Sequence, residues 1–495
     1  MGTARFIASL PLAVYLIREI AMFEIKKPKV GLAAVMSTPF RGDKEANYAG
    51  NLQALEKIAR ELEFEFLAVE QGIYNLPAAQ AAASELGAWG ADFILLQTSS
   101  FASGDFLYPF TDLSSRLGLW AVPEGPPTSE GGLPLNSFTA SNLYNSIIRT
   151  KLSSQNKPVK WFFGHPGQSL FDERFEITIQ ALRALVNLPG KRVALIGGVA
   201  PSFDNLIIDY RHPQELLGVE IQEIDLDRVL DIARGLDQKE VENTIQALQA
   251  GGKLNPGRST SALEKSARVY QAVLQLSHEH GFESAALSCW PQFKADYDLA
   301  VCSVIGHLNS TGLIAACEGD LTSAISMLLL RYLTGGEITT LMDLVSIDGA
   351  DDSVLLWHCG PTPVELADEA GATIQPLWLF DGADGHQIGL HNDLVLQPGK
   401  ATVLGLTADF QHMLVLEGMI DNSKPSYMGS RGWLTDLRLN GQGINIADLV
   451  QTIMISGFQH HYPLAYGSLG DAGLELCGWL GLEPLERQTY TPYVR

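Results

Sequence analysis

From about residue 29 to 335 this chain alternates short apolar runs with amphipathic segments of helical period. Residues 29–36, 64–69, 91–97 and 119–123 read as buried strands, and residues 47–62 and 76–86 as intervening helices. Residues 192–198, 219–224, 284–288 and 314–317 repeat the strand pattern, with helices predicted over 171–186, 226–249, 260–280 and 321–333. Strands that are apolar on both faces and alternate with helices predict doubly wound parallel sheets. After residue 338 the texture changes. Short β-like runs at 354–358, 389–391, 401–406 and 412–416 are separated by turn residues, and a helix is expected over 470–480. That pattern predicts an antiparallel β domain of barrel type. The expected fold class is therefore two Rossmann-like α/β domains followed by a C-terminal antiparallel β-barrel-like domain. The boundaries read from the sequence are an N-terminal extension over 1–23, α/β domains over 24–160 and 161–337, and a β domain over 338–495.

At 495 residues the chain is too long for one core. A formal net charge of −22 argues against a nucleic-acid partner, which would need clustered Lys and Arg. Five cysteines with no CxxC pair argue against a disulfide framework or thiolate zinc site and favour the cytoplasm. The apolar run at residues 6–17 has the look of a secretory signal, but Arg18 and Glu19 follow at once and no small-residue cleavage site appears. No run is long enough to predict a membrane span.

The glycine turn after residue 195 lacks the GxGxxG spacing of a dinucleotide site. Polar residues that interrupt or end apolar runs are more informative. Glu318 ends the run at 314–317, where α/β sheets bind ligands and where a lone carboxylate would be costly. Asp320 is placed to cap the helix that follows. Asp343 interrupts an apolar run, His358 ends another, and His460 and His461 adjoin. Adjacent residues on a strand face opposite ways, so at most one of these two would enter a given site. Two carboxylates with one or two imidazoles make a donor set for Mn2+, with Mg2+ or Co2+ as alternatives.

The segments Leu119-Trp-Ala-Val-Pro-Glu124, Phe163-Gly-His-Pro166, Cys289-Trp-Pro-Gln-Phe293, Cys317-Glu-Gly-Asp320, His358-Cys-Gly360 and Gln459-His-His461 resemble, in that order, those of the L-fucose isomerase-related family. This family belongs to the L-fucose/L-arabinose isomerase superfamily. The resemblance spans roughly residues 29–483. It implies metal ligation by Glu318, Asp343 and His461, with Glu318 and Asp343 as the catalytic acid/base pair. His358 matches a further ligand found in arabinose isomerases. Trp290, Gln292 and His460 fall where the family contacts its sugar. A trimer or hexamer is implied, with the site completed by a neighbour's first domain.

The activity so implied is metal-dependent interconversion of an aldose and a ketose through a cis-enediol. The alternative within enzymes is isomerisation of an acidic or sulfonated sugar such as sulfoquinovose, for which Lys424, Arg431 and Arg116 are the candidate cations. A non-catalytic sugar-binding protein with two Rossmann-like lobes is the rival from another class.

Overall fold

The computed structural model describes residues 24–127, 129, 131–153, 157–255, 260–379, 388–490 and 494; the extension expected over 1–23 lies outside the described residues. Contacts divide the described residues into two compact units, Lys26–Val186 and the chain from Asn187 onward together with Glu24 and Ile25.

The first unit holds five parallel strands, β1 (Lys29–Val35), β2 (Glu65–Ala68), β3 (Phe93–Thr98), β4 (Arg116–Ala121) and β5 (Val159–Phe163), in the order β2-β1-β3-β4-β5. This is a doubly wound arrangement. Here the structure corrects the expected boundary at 160/161. Instead of opening a second domain, β5 pairs with β4, Leu117 opposite Val159, and so covers an edge. Phe162 on β5 packs against Phe171 and Phe175 of the following helix, which ties that helix to the first sheet.

The second unit begins with a four-stranded parallel sheet: β6 (Arg192–Ile196), β7 (Glu220–Ile224), β8 (Phe282–Leu287) and β9 (Ile314–Ala316), in the order β9-β8-β6-β7. A closed antiparallel barrel follows, of β10 (Thr339–Asp348), β11 (Ser353–His358), β12 (Gly399–Leu406), β13 (His412–Asp421), β14 (Ser430–Leu439) and β15 (His461–Tyr466). Its pairings run β10-β11-β14-β13-β12-β15 and return to β10, so no strand in the ring is left with an open edge. Met342, Val354, Leu356, Val403, Leu416, Leu434 and Leu464 belong to the apolar core of this region.

Sheet and barrel share one helix, Leu321–Thr334. Asp320 caps its N-terminus, accepting from the Ser323 amide, and Gly335 ends it in the left-handed conformation. Every residue from 321 to 333 is buried, as expected of a helix apolar on all sides. It packs on β8 and β9 on one side and on β10, β12 and β15 on the other. Side chains pin it to both: the Ser284 hydroxyl donates to Ala324 O at 3.1 Å, and the Leu406 amide donates to Ser326 Oγ at 3.0 Å. The regions expected as separate domains, 161–337 and 338–495, thus meet within one compact unit. Among the described residues no helix is long and apolar enough to cross a membrane.

Candidate active site

The carboxyl end of β9 leads straight into the site. Glu318 and Gly319 both hold left-handed backbone conformations, with φ of 60° and 74°. A non-glycine residue persists there only when its surroundings over-determine it. Here the Ala200 amide donates to Glu318 O and the Gly319 amide donates to Leu287 O, each at 2.9 Å. The glycine turn after β6, which read from sequence as an ordinary turn, is therefore the wall against which Glu318 is set.

The barrel supplies the other side. The register of β10 on β15 places Asp343 opposite His461, and directly opposed residues share a face. His461 Nε2 lies 3.5 Å from Glu318 Oε2 and 3.8 Å from Asp343 Oδ1. His358, at the end of β11, stacks its ring on that of His461 with centroids 5.7 Å apart. His460 Nε2 lies 3.1 Å from Glu318 Oε2. Both adjacent histidines thus reach one carboxylate, contrary to the expectation that only one would. The reason is local: His460 sits in a bend before β15 begins, so strand alternation does not govern it.

Of the remaining candidates, Trp290 reaches this cluster through ring contacts. Trp290 meets Phe203 edge to face at 6.3 Å, and Phe203 in turn lies 5.5 Å from the His460 ring. Gln292 opens the helix Gln292–Tyr297 with its Oε1 buried and without a hydrogen-bond partner among the described residues. Nothing in the sequence singled out Phe203 as chemistry. Asp320 was legible only as a cap, yet its Oδ2 also meets His461 Nδ1 at 2.8 Å.

Lys424 is committed elsewhere, to Asp348 and Asp351, with its ammonium 3.9 Å above the Trp433 ring. Arg431 pairs with Asp393. Arg116 belongs to the first unit. All five cysteines are free thiols.

The electrostatics follow from the packing. Burial resists ionisation of Glu318, but the His460 hydrogen bond and the nearby His461 and His358 outweigh it, so its pKa falls below the usual carboxylate value. For His460 the Glu318 hydrogen bond outweighs burial and raises the pKa. Burial opposes charge on His358, but Asp343 and Cys359 carry its pKa up to about 9.

Asp343 Oδ1, His358 Nε2 and His461 Nε2 are all buried and have no hydrogen-bond partner among the described residues. Buried polar atoms are costly unless something satisfies them. Two overlapping groups, Glu318/His460/His461 and Asp343/His358/His461, bring their donor atoms within 4.8 Å of one another. Oxygen and imidazole donors converging without thiolates fit a hard to borderline divalent cation.

The class of site is thus a carboxylate–imidazole cluster at the strand ends of a parallel sheet, faced by a barrel. Several proteins of one name are similar to this chain. A protein named sulfoquinovose isomerase from Priestia aryabhattai is 26% identical over 423 residues, covering 84% of this chain and 90% of its own. One of the same name from Alkalicoccus urumqiensis is 26% identical over 383 residues, with 76% and 82% covered. A third, from Clostridium sp. (strain MSTE9), is 25% identical over 412 residues, with 79% and 85% covered. No family model matches the chain. Among solved structures, a periplasmic solute-binding protein from Actinobacillus succinogenes 130z with bound D-allose covers 63% of this chain and 93% of its own, at 12% identity and a TM-score of 0.17, too low to bear on the fold.

Proposed function

We propose that this chain is an aldose–ketose isomerase acting on a sulfonated aldose of the sulfoquinovose kind, with a divalent cation, Mn2+ first among candidates, held by Glu318, Asp343 and His461. The observation that carries the reading is the approach of both carboxylates to one ring nitrogen: His461 Nε2 lies 3.5 Å from Glu318 Oε2 and 3.8 Å from Asp343 Oδ1, and His461 Nε2 and Asp343 Oδ1 are buried without a hydrogen-bond partner among the described residues. The names of the relatives favour the sulfonated sugar over a neutral one.

The reaction moves one proton between C2 and C1 while the carbonyl oxygen and the neighbouring hydroxyl exchange roles. A bound divalent cation would polarise the carbonyl and offset the charge that develops on the two oxygens. Glu318 is held ionised by its histidine neighbours and so is available as a base. One carboxylate of the Glu318/Asp343 pair takes the proton from C2 and returns it to C1, through a cis-enediol. Trp290, Phe203 and His460 form a half-buried aromatic flank on one side of the cluster.

His358 stands outside the ligand set in this reading. Its Nδ1 accepts a hydrogen bond from the Cys359 amide at 2.8 Å. Nε2, the nitrogen left free of Cys359, carries a hydrogen both in a neutral ring with Nδ1 accepting and in the protonated ring that the raised pKa favours. His358 accordingly serves as a hydrogen-bond donor to a sugar oxygen. His358→Phe should keep Mn2+ affinity near the wild-type value while lowering kcat by about a hundredfold. A collapse of Mn2+ affinity, measured by calorimetry, would restore His358 to the ligands.

The deciding assay follows ketose formation by metal-stripped protein from a panel of neutral and sulfonated aldoses, with and without Mn2+. Turnover restored by Mn2+ and fastest with a sulfonated aldose is the expected result. Turnover confined to neutral aldoses would remove the sulfonate from the reading. Tight metal-independent sugar binding without turnover would replace the isomerase with a binding protein.

A further inference from the structure

The two buried histidines of the cluster are braced from behind in opposite senses. Behind His358 is a donor, the Cys359 amide. Behind His461 is an acceptor, the fully buried Asp320 carboxylate, 2.8 Å from Nδ1. An ionised carboxylate offers only lone pairs, so Nδ1 of His461 must donate. Both Asp320 oxygens act as acceptors, Oδ1 from the Ser323 amide and Oδ2 from the Ser323 hydroxyl. With the hydrogen fixed on Nδ1, Nε2 can present a lone pair to the space between Glu318 and Asp343, the form a metal ligand requires.

Capping alone does not account for Asp320. The cap uses Oδ1, which accepts from the Ser323 amide at 2.9 Å. Oδ2 is left for His461 Nδ1 and the Ser323 hydroxyl. One carboxylate thus joins the start of the shared helix to the first residue of β15.

We infer that Asp320 is a positioning residue, which selects the His461 tautomer able to bind a cation and holds that ring in place through Oδ2. The inference rests on the metal reading above. It adds a residue that touches neither cation nor sugar but decides whether His461 can be a ligand.

Two substitutions separate this role from capping, because Ser and Asn are both good N-caps. Asp320→Ser keeps an oxygen for the Ser323 amide and withdraws the acceptor from His461. Asp320→Asn sets an N–H against Nδ1 whenever its single oxygen serves the cap, which drives the hydrogen onto Nε2. Mn2+ binding by the metal-stripped proteins is measured by titration calorimetry, and folding by thermal melts followed by circular dichroism. The expected result is a loss of Mn2+ affinity of about 10- to 100-fold in both variants, with Asn the weaker binder. That ranking should appear even where the two melt at the same temperature, whereas a purely structural role would make affinity follow stability. Wild-type Mn2+ affinity in both variants would overturn the role of Asp320 and leave the metal reading standing. Absence of Mn2+ binding by the wild-type protein would overturn the metal reading, and this inference with it.

Discussion

Glu318→Gln should lower kcat by about a thousandfold or more while the protein melts close to the wild-type temperature. The amide matches the carboxylate in size and preserves the left-handed backbone at φ 60°, held through main-chain bonds to Ala200 and Leu287. It loses the negative charge. A neutral amide cannot accept the C2 proton, and its NH2 would meet His460 Nε2 and His461 Nε2, now 3.1 and 3.5 Å from Glu318 Oε2. Substrate and cation binding should weaken as well, so kcat/KM falls further than kcat. The measurement is ketose formation at saturating Mn2+ and sugar. Activity within roughly tenfold of wild type would remove Glu318 from the chemistry.

Gly319→Ala should be nearly as damaging, by a different route. A Cβ at 319 would lie 2.3 Å from Gly198 O and 2.7 Å from Val199 Cα, both main-chain atoms with little room to yield. The φ of 74° adds a conformational cost of about 1–2 kcal/mol. With overpacking of about 1–3 kcal/mol, the expected destabilisation is about 2–5 kcal/mol in urea unfolding. Turnover should fall as well, since the backbone of Glu318 must shift. Gly198→Ala is the control. It shares the left-handed backbone, but its Cβ would meet nothing within 4 Å, so only the conformational cost applies. Equal stability of the two variants would show that the contact between 198 and 319 is not what fixes the turn.

Much of the architecture was legible because apolar runs and turn residues report burial directly. The strands of both parallel sheets other than β5, and the buried helix after Asp320, were marked this way. The error at β5 has a physical origin. An edge strand and the first strand of a new sheet carry the same half-apolar pattern, and Val159–Phe163 does not say which neighbour it pairs with. Barrel strands such as β14, where Arg431, Thr435 and Arg438 interrupt the apolar residues, left no comparable run. Within the site, Glu318 and Asp343 stood out as charges embedded in apolar sequence. The contact between Asp320 and His461 spans 141 positions and depends on the docking of a helix on a barrel. No local pattern encodes that. The pairing of His460 with Glu318 was hidden by a bend where strand alternation was expected.

The helix Leu321–Thr334 has no solvent face, because the parallel sheet and the barrel each claim one side of it. The barrel is therefore not a separable module. Excised or transplanted alone, it would expose the strip that β10, β12 and β15 present to the helix. It would also part His461 and Asp343 from Glu318. A chimera that exchanges substrate preference with a relative is best spliced outside this helix, so that helix and barrel travel together.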